Sequence, residues 1–174
     1  GVTLPTAGGG GDTPNLLQKS ADGVGIYARS SMDNAMFAAN DLTVIPGIGA
    51  AWVKYGLTVQ LEATVLELIR VKGAAVQADA AKTNFTSGLH VGYFIIPQFS
   101  VGADLRYQRW LTTPAAVAKD ETLRQNLNGA IGVRAHFKVG SVTLRPGVSV
   151  SHGLVGSMTT ANHTAIQLDV PIAF

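Results

Sequence analysis

From about residue 42 to the end, apolar and polar residues trade places with a period of two. No other feature constrains the chain as much, because successive side chains of a β-strand point to opposite faces. In the last stretch Ile166, Leu168, Val170, Ile172 and Phe174 alternate with Ala165, Gln167, Asp169, Pro171 and Ala173. The same pattern recurs upstream: Val142 to Ser151, Leu127 to Lys138, Phe99 to Gln108, Gly88 to Ile95 and Leu57 to Val65 each present one apolar and one polar or small-residue face. The phase stumbles at Leu66-Glu67-Leu68, where a β-bulge is expected. Seven strands follow, over about 42–53, 57–72, 85–96, 99–111, 124–138, 141–152 and 164–174.

Charged residues are only 14% of the chain, against about 25% in soluble domains. So few charges suit a membrane protein, yet no run of about 18 apolar residues exists to make a spanning helix. The other spanning solution is a closed barrel, in which every backbone polar group is paired. The connections agree. Short turns are expected near Lys54-Tyr55-Gly56, Pro97-Gln98 and Val139-Gly140-Ser141, and long loops at about 73–84, 112–124 and 153–163. That alternation matches short periplasmic turns and longer extracellular loops. The expected fold is all-β: one domain over 1–174, an antiparallel transmembrane up-and-down β-barrel with about eight strands visible. Trp52, Tyr55, Phe99, Phe137 and Phe174 fall at the short-turn ends, as an interfacial girdle would, with Tyr107 and Trp110 toward the opposite end.

Residues 6–41 lack this pattern and read as a long loop or plug-like segment. It carries a glycine run at Gly8–Gly11, short helix candidates at Asn15–Ser20 and Met32–Ala39, and a strand candidate at Gly23–Arg29. Gly1–Pro5 reads as the end of a strand whose start lies outside the sequence, and no signal peptide is visible. An eighth strand must come from one of these two candidates, or from outside the chain. The chain has no cysteine, which removes disulfides and thiolate chemistry. A formal charge of +2 with no Lys/Arg cluster gives no reason to expect a nucleic-acid partner.

The C-terminal strand, with Leu168, Val170 and Ile172 at every second position before a final Phe174, resembles that of bacterial outer-membrane β-barrel proteins of the porin-like, transport-channel type. Gly1-Val2-Thr3-Leu4-Pro5-Thr6 is similar to a strand end of some outer-membrane channels, with Ala7 where glycine is usual. The resemblance implies a Gram-negative outer-membrane location. It also implies that Phe174, Ile172, Val170 and Leu168 are the signal read by the barrel-assembly machinery, and that the chain is the C-terminal part of a larger barrel. The implied partners are outer-membrane lipid, that machinery, and other chains or strands that complete the wall.

The polar phase places Glu62, Arg70, Lys72, His90, Asp104, Arg106, Arg134, His136, Lys138, Arg145 and Asp169 on the expected lumen face. They would either line an aqueous pore, whose basic excess favours anions, or form an internal ion-pair network. His90, His136, His152 and His163 lack metal spacing. Ser149-Val150-Ser151-His152 has the wrong order for the H-x-S element of outer-membrane lipid A deacylases. The glycine run lacks the Lys-Ser/Thr of a phosphate loop. The expectation is therefore a non-enzymatic barrel without cofactor or metal, a passive channel or structural barrel for small solutes. The alternatives are an interaction barrel whose loops bind a partner, a lipid-modifying barrel enzyme, and a secreted soluble β-sandwich.

Overall fold

The computed structural model describes residues 2–3, 41–71, 81–112, 124–156 and 164–173. Among the described residues the strands are β1 (Val2–Thr3), β2 (Asp41–Val44), β3 (Gly47–Lys54), β4 (Leu57–Arg70), β5 (Ala81–Ile96), β6 (Phe99–Trp110), β7 (Gln125–Ala135), β8 (Phe137–Val139), β9 (Val142–Leu144), β10 (Gly147–Gly156), β11 (Thr164–Asp169) and β12 (Ile172–Ala173). The main sheet runs β1-β2-β4-β5-β6-β7-β10-β11, with β3 also on β4, and a second sheet runs β12-β9-β8. Every pairing is antiparallel.

Four of the expected strands are interrupted. Three of the breaks fall at Ile45-Pro46, Arg145-Pro146 and Val170-Pro171. Proline has no N–H for the ladder and is tolerated in sheets only at ends, edges and irregularities. The fourth break, at His136, lies beside the second. The backbone stays connected across these gaps. Val65 N donates to Pro46 O at 2.9 Å, Ala135 N to Pro146 O at 2.9 Å, and Arg145 N to Pro171 O at 3.0 Å. The two sheets are therefore one ladder crossed by a seam that runs through His136, Pro146 and Pro171.

The expected barrel is not closed among the described residues. β11 pairs with β10 and β12 with β9, whereas Val2 and Thr3 pair with Val44 and Thr43 at the opposite edge. The N-terminal candidate strand thus joins the sheet, but not beside 164–174. Gly23–Arg29, the two short helix candidates and Phe174 lie outside the described residues.

Register fixes the faces. From Leu57↔Tyr93 to Ile69↔Ala81 the β4–β5 ladder runs without a slip. Leu61, Leu89, Leu105, Val133, Val148 and Ile166 fall on one face, and Glu62, His90, Asp104, Arg134, Ser149 and Asp169 on the other. The apolar face is open to its surroundings. Ile131 is 70% exposed, Ile166 72% and Leu168 78%.

The bulge expected at Leu66-Glu67-Leu68 is absent, since the register continues through it. Polarity changes there instead of phase. Leu66 and Leu68 keep the polar-face phase but are fully buried, packed with Ile45 and Trp110. Glu67 keeps the apolar-face phase, opposite Thr83, whose hydroxyl donates to its carboxylate at 2.7 Å. At the end near the expected long loops the polar-face phase is thus buried, with Lys82, Asn84, Thr86, Gln108 and Asn126 beside the two leucines. Trp110, toward the end opposite the short turns as expected, packs against this small core.

The β3–β4 hairpin turns on two residues, Tyr55 at φ 53° and Gly56 at φ 79°. Two positive φ angles give the mirror-image turn that matches strand twist, for which Asn-Gly is the favoured pair. Tyrosine is strained at the first position, with Lys54 Nζ 4.9 Å from its ring centre. Replacing Tyr55→Asn should therefore raise stability by about 0.5–1 kcal/mol. Urea unfolding checks this, and a lower midpoint would contradict the assigned turn.

Candidate functional site

On the polar face, ion pairs reach across a strand. Strands on either side of a third lie about 9.6 Å apart, so two side chains meet over the middle one only if nothing there obstructs them. Glu62, Gly88 and Arg106 share one register row on β4, β5 and β6. Arg106 Nη1 donates to Glu62 Oε1 at 3.2 Å. A Cβ at Gly88 would stand 2.7 Å from that same oxygen. Arg134, Gly147 and Asp169 repeat the device on β7, β10 and β11. Arg134 Nη2 lies 2.7 Å from Asp169 Oδ2, and a Cβ at Gly147 would come within 3.3 Å of the guanidinium.

Arg134 has a second role. Its Nη1 donates to the carbonyl of Arg145 at 2.9 Å. That carbonyl precedes Pro146 at the seam, where the ladder is interrupted. The guanidinium thus joins three ribbons where their regular hydrogen bonding lapses.

Between these pairs, His90 Nδ1 meets Asp104 Oδ1 at 3.0 Å. The next row consists of Gly92, Gly102, Gly132, Ser149 and Gln167. With no side chains on its three glycines it forms a shallow floor, and the His90 ring leans over it, 2.9 Å from a Cβ built at Gly92. The far wall holds Phe94 and Ser100. His136 Nε2 lies 2.9 Å from Ser100 Oγ, and its ring centre 4.7 Å from that of Phe94. A cavity of about 620 Å³ occupies this space, lined by His90, Asp104, Arg106, Arg134, His136 and Asp169 among others.

The structure therefore brings together Glu62 with Arg106, His90 with Asp104, and Arg134 with Asp169, and sets His136 and Arg145 at the seam beside them. Arg70 stands apart, opposite Asp41 at the loop end of β4. Lys138 is exposed on β8 opposite Thr143, and Lys72 and His163 lie outside the described residues. Of the expected assembly residues, Leu168, Val170 and Ile172 are exposed along the edge formed by β11 and β12. Sequence reasoning missed Gly88 and Gly147, because the charges they connect are far apart in sequence and only register aligns them.

Ser149 and Ser151 fall on the polar face, whereas the register row of His152 is that of Leu105 and Gly129 on the apolar face. Its Nδ1 meets Thr164 Oγ1 at 2.8 Å, not a carboxylate. A serine nucleophile needs its base within hydrogen-bond reach, so opposite faces keep His152 from serving Ser149 or Ser151. Among the described residues no group of three or more His, Asp or Glu is placed to hold a metal.

The Arg134–Asp169 pair is half-exposed, between the regimes of surface and buried pairs. A double-mutant cycle on Arg134→Ala and Asp169→Asn should return a coupling of about 0.5–1.5 kcal/mol. Adding Gly147→Leu should abolish it by blocking the path. A coupling that survives the Gly147→Leu change would contradict the role of the glycine. No protein-family model, no curated protein and no solved structure matches this chain.

Proposed function

We propose that this chain is part of the wall of a bacterial outer-membrane β-barrel, a passive channel whose polar face lines a path for small solutes. The observation that carries the reading is the two-faced sheet. An open apolar face of this extent, with Ile131, Ile166 and Leu168 more than two-thirds exposed, is an unfavourable surface in water and a favourable one in lipid. The nine residues from Leu57 to Val65, over which the apolar phase holds on β4, match the roughly 9–11 residues of a tilted spanning strand. Beyond Val65 the apolar row is interrupted by Glu67, whose carboxylate accepts from Thr83, as suits a strand that leaves the hydrocarbon layer.

Among the described residues β3 pairs only with β4 and β11 only with β10, and in lipid such open edges would leave rows of unpaired amides, each costing several kcal/mol. In this reading further strands, from the same protein or another chain, complete the wall. The exposed apolar row Leu168, Val170 and Ile172 at one of those edges suits recognition by the barrel-assembly machinery.

Two experiments test the proposal. The protein should sediment with outer membranes and require detergent for release, and recovery in the soluble fraction would refute it. Val148→Arg should lower stability in the membrane by about 2–4 kcal/mol, and its neighbour Ser149→Arg by clearly less. Equal sensitivity at the two positions, measured by unfolding in lipid, would remove the lipid-facing assignment.

A further inference from the structure

Within the cavity the acidic and basic groups of the polar face are balanced. Two arginines and two aspartates, Arg106, Arg134, Asp104 and Asp169, line the cavity over the glycine floor. Each lies within 3.2 Å of an ionisable partner of the opposite kind: Arg106 with Glu62, Asp104 with His90, and Arg134 with Asp169. The cavity therefore offers oriented donors and acceptors with little net charge. Ser149, Ser151 and Gln167 add neutral hydrogen-bonding groups along one side, and Phe94 supplies an apolar ring surface. Its volume, about 620 Å³, lies within the 300–1,000 Å³ of small-molecule sites.

We infer that this cavity binds uncharged, polyhydroxylated solutes of sugar or sugar-alcohol size, and disfavours ions of the same shape. An ion would have to compete with charge pairs already made, whereas a neutral solute leaves them intact. Vicinal hydroxyls both donate and accept, and so complement the Asp, Arg, Ser and Gln groups of the wall. The C–H face of such a solute packs against Phe94 and the bare glycine floor. The inference names a solute class for the channel proposed above and rests on that reading for its transport role, but not for binding.

Three probes of similar size separate the possibilities: sorbitol (neutral), gluconate (anionic) and glucosamine (cationic). Saturation-transfer NMR on the full protein in detergent or lipid discs gives the affinity of each. Sorbitol should bind at least about tenfold more tightly than either charged analogue. A Cβ at Gly102 would stand 3.2 Å from the His90 ring and would clear the backbone, so Gly102→Leu should fill the floor and abolish sorbitol binding. Gln167→Leu, on the exposed strand β11, removes a wall group with little risk to folding and should weaken binding at least about threefold. Tighter gluconate binding would identify an anion site and overturn the inference. So would an absence of sorbitol binding, or sorbitol binding unchanged in both variants. Planar-bilayer conductance keeps the two readings apart. A conducting protein that binds no sorbitol loses the solute inference alone, and sorbitol binding without conductance overturns the channel alone.

Discussion

The antiparallel register is the constraint on which the rest of the structure depends. From β4 through β7 the pairing runs on along nearly the full length of each strand, and the ladder slips only near strand ends, as at Phe94/Ile96. Because successive side chains alternate faces, this register decides the surroundings of every residue at once, and a slip of one position would turn all of them over. The two faces differ so sharply that such a slip would place Glu62, Asp104 and Arg134 among the apolar side chains while exposing Leu61, Leu105 and Val133 on the polar face. Register is therefore held by solvation of the side chains as well as by backbone hydrogen bonds.

The polar face adds its own ties. A pair such as Glu62–Arg106 joins two strands that share no hydrogen bond, with Gly88 as the bare crossing between them. The Arg134–Asp169 pair does so where it is most needed, beside the seam opened by Pro146 and Pro171. Half-exposed pairs of this kind contribute modest stability individually. Their effect on the character of the cavity is larger, because they convert a charged surface into a dipolar one. Bare glycine rows serve both ends: Gly88 and Gly147 let the pairs form, and Gly92, Gly102 and Gly132 leave the floor of the cavity open.

Much of this was legible in the sequence. Period two located the strands from Leu57 onward, assigned Leu105, Val133 and Val148 to one face and Asp104, Arg134 and Ser149 to the other, and put turns at Tyr55-Gly56, Pro97-Gln98 and Gly140. The errors have physical causes. Leu66-Glu67-Leu68 suggests a bulge only if one polarity holds along a whole strand, whereas here the two leucines keep their phase and pack with Ile45 and Trp110. Trp110 lies toward the long-loop end, as its place in the sequence indicates, but only the register shows it packing on Leu66 and Leu68. The prolines at 46, 146 and 171 fit the alternation as strand positions, although each lacks the donor a ladder requires. Closure was out of reach, because whether β11 meets another strand depends on pairing between distant segments. The ion-pair partners were hidden likewise, since only three-dimensional register brings Glu62 and Arg106 to either side of Gly88.

The central claim is that one face of this sheet meets lipid and the other meets water. The chain has no native cysteine, so single cysteines from position 146 to 152 can each carry a nitroxide label without background. Electron paramagnetic resonance on the reconstituted protein then measures collisions with oxygen, which concentrates in lipid, and with a water-soluble nickel chelate. Oxygen accessibility should peak at 148 and 150 and nickel accessibility at 147, 149 and 151, the two profiles running out of phase. Profiles that rise and fall together, or show no alternation, would contradict the account.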